Sequence, residues 1–110
     1  MGKASRDKGK RGELEIAHIM KDYGYDAHRG QQFSGLQGDA DVVGVPHLHL
    51  EIKRVQALHL DSAMEQSIRD ARKGEVPVVM HRKDKQKWKV TLLLDDFMPM
   101  YMAWEKGQNK

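Results

Sequence analysis

Cysteine is absent from the 110-residue sequence, which excludes disulfides and thiolate zinc sites and leaves carboxylates and histidines as the available metal ligands. Long apolar runs are missing too. No segment approaches the roughly 20 residues needed to span a bilayer, and the basic N-terminus is not followed by an apolar stretch of the secretory kind. The chain is therefore expected to be soluble and cytoplasmic. Repeats and low-complexity segments are lacking, and the length suits one domain over residues 1–110. What the sequence does have is clustered charge. The 19 Lys and Arg outnumber the 16 Asp and Glu for a formal net charge of +3. Residues 1–11 carry Lys3, Arg6, Lys8, Lys10 and Arg11 against Asp7 alone, and residues 81–89 carry Arg82, Lys83, Lys85, Lys87 and Lys89 around Trp88 and Asp84. Two such patches suit a polyanion, because neutralising phosphates releases counterions. The plainer alternative is a solvated, partly flexible N-terminal arm (about residues 1–8) and a solvated hairpin turn.

Apolar periodicity predicts a helix over about 9–23, with Ile16, Ile19, Met20 and Tyr23 on one face and Gly24 as its stop. Glu13 falls at the rim of that face, about 70° from its centre at helical spacing. Strands are expected over 25–33 and 40–45, separated by a Gly-containing loop at 34–39, with Pro46 marking the turn into "HLHLEIKRV". Strict alternation there puts Leu48, Leu50 and Ile52 on one face and His47, His49, Glu51 and Lys53 on the other. A second helix is expected from Asp61 or Ser62 to Gly74, with Ser62 and Glu65 as a capping box and Met64, Ile68 and Ala71 as its apolar stripe. Strands at 76–81 and 88–94 and a capped final helix interrupted by Pro99 complete the order α-β-β-β-α-β-β-α. The fold class is α/β: a mixed five-stranded sheet flanked by helices, the middle helix forming a crossover between parallel strands.

The unusual feature is acid among strand residues. Asp39, Asp41 and Glu51 sit in or beside the most core-like segments, with Lys53 next to them. Carboxylates about 5 Å apart repel by about 3 kcal/mol per pair at an effective dielectric near 20. One ammonium does not balance Asp41, Glu51 and Glu13 together. A hard divalent ion with oxygen ligands, magnesium or manganese, fits better, and Lys53 would then orient a nucleophile and offset charge growing on a phosphate. The alternative is a simple Glu51–Lys53 pair on a half-exposed strand, with Asp39 and Asp41 serving a turn. His47 and His49 could in principle bind zinc, but no third nitrogen is near in sequence. The preferred expectation is that they flank the site, contact phosphate or are simply solvated.

An Asp at the start of a short strand, a turn, then Glu-x-Lys on the next strand resembles the signature of the PD-(D/E)xK nuclease superfamily. "KGKRGELEIAHIMKDYGY", "HRGQQFSGLQGDADVVGVPHLHLEIKRV", "AMEQSIRDAR", "VPVVMHRK" and "LLLDDFMPMY" resemble archaeal-type Holliday junction resolvases and their small phage-encoded relatives, over about Lys8 to Tyr101. The resemblance implies a restriction-endonuclease-type, three-layer core. It implies Glu13, Asp41 and Glu51 as ligands of Mg2+, with Mn2+ as a substitute, and Lys53 as a catalytic residue. Ser34 corresponds to a serine near the site, a turn role being the other reading, and Gln66 to a helix-borne glutamine, although the expected stripe points it elsewhere. Ala40 stands where the superfamily name has proline, which leaves Asp39 as a rival to Asp41; Asp41 is the preferred ligand.

On this reading the chain is a metal-dependent DNA endonuclease of the junction-resolving kind, acting in DNA recombination in the cytoplasm, that of the host if phage-encoded. The two basic clusters and Arg29 would grip flanking phosphates. A homodimer would supply two cuts, built on the apolar C-terminal end that Met98, Met100, Tyr101, Met102 and Trp104 form. A nuclease for nicks, ends or linear duplex, and a non-catalytic nucleic-acid-binding module, are the alternatives.

Overall fold

The computed structural model describes residues 3–30 and 40–109, with the side chains of residues 3–6 left out. Helix α1 spans Lys3–Asp22, so the helix expected from residue 9 takes in most of the basic arm as well. Its apolar side follows the expected spacing: Ile16 and Ala17 are buried and Ile19 and Met20 pack against the same cluster, whereas Tyr23 lies beyond the helix and is exposed. Gly24, at φ 102°, terminates it in the left-handed conformation, and its N–H donates to the Lys21 carbonyl at 2.9 Å, as a glycine one residue past a helix end does.

The sheet has five strands in the order β1-β2-β3-β4-β5. These are β1 (His28–Arg29), β2 (Val42–Val43), β3 (Leu48–Arg54), β4 (Val76–Arg82) and β5 (Lys89–Leu92). All pairings are antiparallel except β3 with β4. That parallel pair is joined by α2 (Leu60–Asp70), the expected crossover. Leu50, Ile52, Val78 and Met80 pack against Ile16 and Ala17 of α1. On the opposite face Val79 packs against Ala63 and Met64 of α2. The result is three layers, helix on sheet on helix. Chain order continues into α3 (Leu94–Gln108). Among the described residues no helix is long and apolar enough to cross a membrane.

Several local expectations are corrected. Helix α2 starts at Leu60 with His59 at the N-cap and no side-chain cap bond, so Ser62 lies inside the first turn and cannot form a capping box with Glu65. Leu60 is drawn inward by the Ala63–Met64–Val79 cluster, and that burial outweighs a cap contribution of about 1 kcal/mol. The buried stripe of α2 is Ala63, Met64 and Ser67, not Met64, Ile68 and Ala71. Ser67 Oγ donates to the carbonyls of His49 and Val78 at 3.2 and 3.3 Å, so the small residues 63 and 67 let the helix lie close on the sheet, and Ile68 turns to solvent. Pro99 sits inside α3 without ending it; the bond it cannot donate belongs to an exposed helix, where water can replace it.

An ion-pair network fastens α1 to the β4–β5 hairpin. Glu15 accepts from Arg82 Nε at 2.8 Å, Arg82 Nη2 at 3.0 Å and Trp88 Nε1 at 2.6 Å, while the Arg82 guanidinium lies over the Trp88 ring. The Arg82 hydrogen bond holds the Glu15 carboxyl below its ordinary range, against the opposing effect of burial. A group lowered in this way stabilises the fold above its unfolded pKa and ceases to do so as pH falls through the folded value. The side chain is one-third exposed, so solvent screening limits the effect. Glu15→Gln is expected to cost about 1 kcal/mol at neutral pH, with the gap to wild type closing below about pH 4.5. Urea unfolding followed by Trp88 fluorescence at several pH values measures it, and a gap that stays constant into acid would show that charge plays no part.

Candidate active site

Asp41 immediately precedes β2, and the ladder fixes its place. Its N–H donates to the Leu50 carbonyl and its carbonyl accepts from the Gly30 N–H, both at 2.9 Å. Its Oδ2 in turn accepts from the Ile52 N–H at 2.9 Å, so the carboxylate is clamped to the backbone of β3. That strand also supplies Glu51 and Lys53, two residues apart and hence on one face. Glu13 comes from α1 and Gln66 from α2. Glu13, Asp41, Glu51, Lys53 and Gln66 line one cleft of about 510 Å³, with Lys8 at its edge. Gln66 therefore reaches the cleft, because α2 is rotated from the expected stripe.

Burial is the main cause that pushes the Asp41 carboxyl up to about 7, with the charges of Glu51 and Glu13 adding to it and the Ile52 N–H and Lys53 opposing it. Glu51 is 3 % exposed. Its Oε1 lies 3.2 Å from His49 Nε2, and its Oε2 is buried with no hydrogen-bond partner. An ionised oxygen in that position is costly unless a cation or donor meets it. Glu13 accepts from Arg29 Nε at 2.8 Å. Among the described residues no group of three or more histidine, aspartate and glutamate side chains is arranged to hold a metal ion. The expected set of three carboxylates thus lines the cleft but does not stand assembled as a cage, with Glu13 engaged by Arg29. An orphaned buried carboxylate oxygen on Glu51 and an Asp41 destabilised by neighbouring acid nevertheless match a cation: the donor chemistry fits a hard divalent ion, with water completing its shell.

Other expected site residues are distributed as follows. Ser34 and Asp39 lie outside the described residues, as do the side chains of Lys3 and Arg6. Lys10 and Arg11 are exposed on α1. Lys8 pairs with Asp84 at 3.0 Å. Arg29 and Arg82, expected at phosphates, bond to Glu13 and Glu15 within the fold. Lys83, Lys85 and Lys87 are exposed at the β4–β5 turn, with Lys85 in the left-handed region at φ 63°. Ala40 is buried.

The sequence reading missed the role of His49. It is 2 % exposed and stands between Glu51 and Glu75, with Nδ1 3.4 Å from Glu75 Oε1. The Glu51 hydrogen bond chiefly holds the imidazole above its ordinary range, against desolvation. His47 lies outside β3, exposed and at φ 71°, so the two histidines do not share a face. The alternation that aligned His49 with Glu51 was the available signal; Glu75, 26 residues away in sequence, was not foreseeable from it.

Fold and cleft together make a three-layer α/β core with acid residues and a lysine converging beside the parallel strand pair. A solved structure of this architecture, Hjc from Archaeoglobus fulgidus, a Holliday junction resolvase from an archaeal hyperthermophile, matches the chain with a TM-score of 0.56 and 22 % sequence identity, over 77 % of this chain and 72 % of that one. The resemblance drawn from the motifs thus holds at the level of the fold. No protein-family model matches the sequence, and no curated protein does.

Proposed function

We propose that the protein is a metal-dependent DNA endonuclease that hydrolyses phosphodiester bonds, with branched DNA such as four-way junctions as its substrate. The observation that carries this reading is the cleft in which Asp41, Glu51 and Lys53 converge with one buried carboxylate oxygen left unpartnered, on a fold shared with a junction resolvase. Asp41 and Glu51 would hold Mg2+ or Mn2+, with Glu13 joining when Arg29 turns to a phosphate. When bound, such an ion supplies Lewis acidity toward a phosphoryl oxygen and lowers the pKa of water.

The protein's own groups have distinct tasks. Ile52 N–H fixes one Asp41 oxygen, and His49 holds one Glu51 oxygen, leaving the other unpartnered. Lys53 would donate to the attacking water or to a non-bridging phosphate oxygen, countering charge that grows in the transition state. Ser34 and Gln66 are proposed as neighbours that hydrogen-bond water or phosphate. Because a four-way junction has near two-fold symmetry and needs two cuts, the active species is proposed to be a homodimer.

The test is incubation of labelled four-way junction and matched linear duplex with magnesium or with chelator. Paired, metal-dependent nicks confined to the junction are expected. Equal cutting of linear duplex would point to a broader nuclease, and binding without cutting in any metal would remove the catalytic reading. Lys83, Lys85 and Lys87 are proposed to meet phosphates. Their joint replacement by Ala is expected to weaken junction binding about tenfold or more near 0.1 M salt and to flatten the salt dependence by up to three phosphate contacts. An unchanged slope in a filter-binding titration would remove the hairpin from the interface.

A further inference from the structure

His49, Glu51 and Ser67 are the buried polar and charged residues among those described, and they meet at one place. Ser67 Oγ of α2 donates to the His49 carbonyl at 3.2 Å, which fixes the backbone of that residue, while its ring lies between two carboxylates. Nε2 stands 3.2 Å from Glu51 Oε1 and Nδ1 3.4 Å from Glu75 Oε1. Glu75 is itself held before it reaches the ring. Its Oε1 accepts from the Arg72 N–H at 2.8 Å and its own N–H donates to the Arg72 carbonyl at 2.9 Å, in a turn that contains Gly74 at φ 88°. The contacts therefore run from a backbone turn, through an imidazole, to an acid that lines the cleft.

A purely structural histidine would pair off the buried charge around it, and here one oxygen is left over. Glu51 Oε1 is engaged and Oε2 is buried with no hydrogen-bond partner, a cost that folding alone gives no reason to carry. The last torsion of a glutamate is soft and nearly two-fold, so an unheld head group would exchange its two oxygens. An ionised carboxylate only accepts, so the His49 Nε2–H pins one oxygen and makes the two unequal. We propose that His49 and Glu75 are positioning residues of the metal site: Glu75 orients the ring, the ring holds Glu51 Oε1, and Oε2 is left as the oxygen that receives a divalent ion. The inference rests on the proposed nuclease site and extends it to Glu75 and to the choice between the two oxygens. Metal affinity, not phosphate binding, is the property these residues govern.

The test is a titration of the intact protein, free of DNA, with Mn2+, followed by loss of the electron paramagnetic resonance signal of the free ion, so that no cleavage is needed as a readout. His49→Asn places an amide nitrogen near the Nδ1 position and leaves Glu51 unheld; its Mn2+ affinity is expected to fall about tenfold or more. His49→Gln carries an amide nitrogen to the Nε2 position and is expected to stay close to wild type. Glu75→Ala is expected to weaken Mn2+ binding in the wild-type background and to have no effect on top of His49→Gln, which offers no second donor toward Glu75. A Glu75 that merely closes its turn would cost the same in both backgrounds, and this comparison holds even where His49→Asn fails to fold. Equal Mn2+ affinity in wild type and His49→Asn, a His49→Gln as weak as His49→Asn, or equal losses from Glu75→Ala in both backgrounds overturns the inference and leaves the nuclease reading intact. A wild type that takes up no Mn2+ overturns both. A protein that follows the expected ranking yet cuts no DNA sinks the nuclease reading and leaves this one standing.

Discussion

Changing Asp41 to Asn is expected to raise the melting temperature of the metal-free protein by about 5–10 °C and to lower metal-dependent cleavage at least a hundredfold. The two effects have one cause. Asp41 is half-buried beside Glu51 and within reach of Glu13; desolvation and the charges of both acids disfavour its ionised form. Asn is nearly the same shape and can still accept the Ile52 N–H, so the substitution removes the repulsion and keeps the clamp. The gain of about 1–2 kcal/mol is a fraction of the repulsion between two carboxylates at an effective dielectric near 20, because the folded protein already relieves some of it by binding a proton. The same change removes a donor from the proposed ion. Adding magnesium should therefore raise the melting temperature of wild type and not that of the variant. Differential scanning fluorimetry with and without magnesium reads both effects. A variant that melts lower than wild type without metal would mean that the acidic residues do not strain the cleft.

The largest stability effect is expected at Gly44, whose replacement by Ala should cost about 3 kcal/mol or more and lower the melting temperature by about 15–20 °C. Gly44 has φ 97°, in the region that L side chains rarely adopt, and a Cβ there would run into the Asp26 carbonyl oxygen and the Ala27 Cα. Those are backbone atoms at the entrance to β1, beside fully buried Ala27, and they cannot step aside as a flexible side chain would. Gly24→Ala is the control: its φ is also positive, but a Cβ would meet nothing within 4 Å, so only the conformational cost of about 1 kcal/mol applies. Equal losses at the two positions in urea unfolding would show that crowding at Gly44 is absent.

Much of the architecture was legible because it rests on local periodicity. The 3.6-residue spacing in α1 and the strict alternation of β3 each had one solution, and the crossover between parallel strands followed from element order. What escaped was whatever depends on the partner surface. The stripe of α2 was misjudged because the sheet beneath it carries His49 and Glu51, so small residues that approach the backbone are buried in place of Ile68. Asp41 and Glu51 were recognisable because carboxylates in core segments are physically expensive. The pairings of Arg29 and Arg82 were not, since their carboxylates arrive from α1, 16 and 67 residues away.

The peptide N–H of Ile52 belongs to the residue between Glu51 and Lys53, and it is the group that grips Asp41. Three side chains of the cleft are thus indexed to two adjoining peptides of a central strand. In the proposed nuclease, reactivity and foldedness would share one strut: a change that slackens it to gain catalytic adaptability would also loosen the middle of the sheet, so variation in substrate preference should accumulate at the periphery of the cleft and spare its floor.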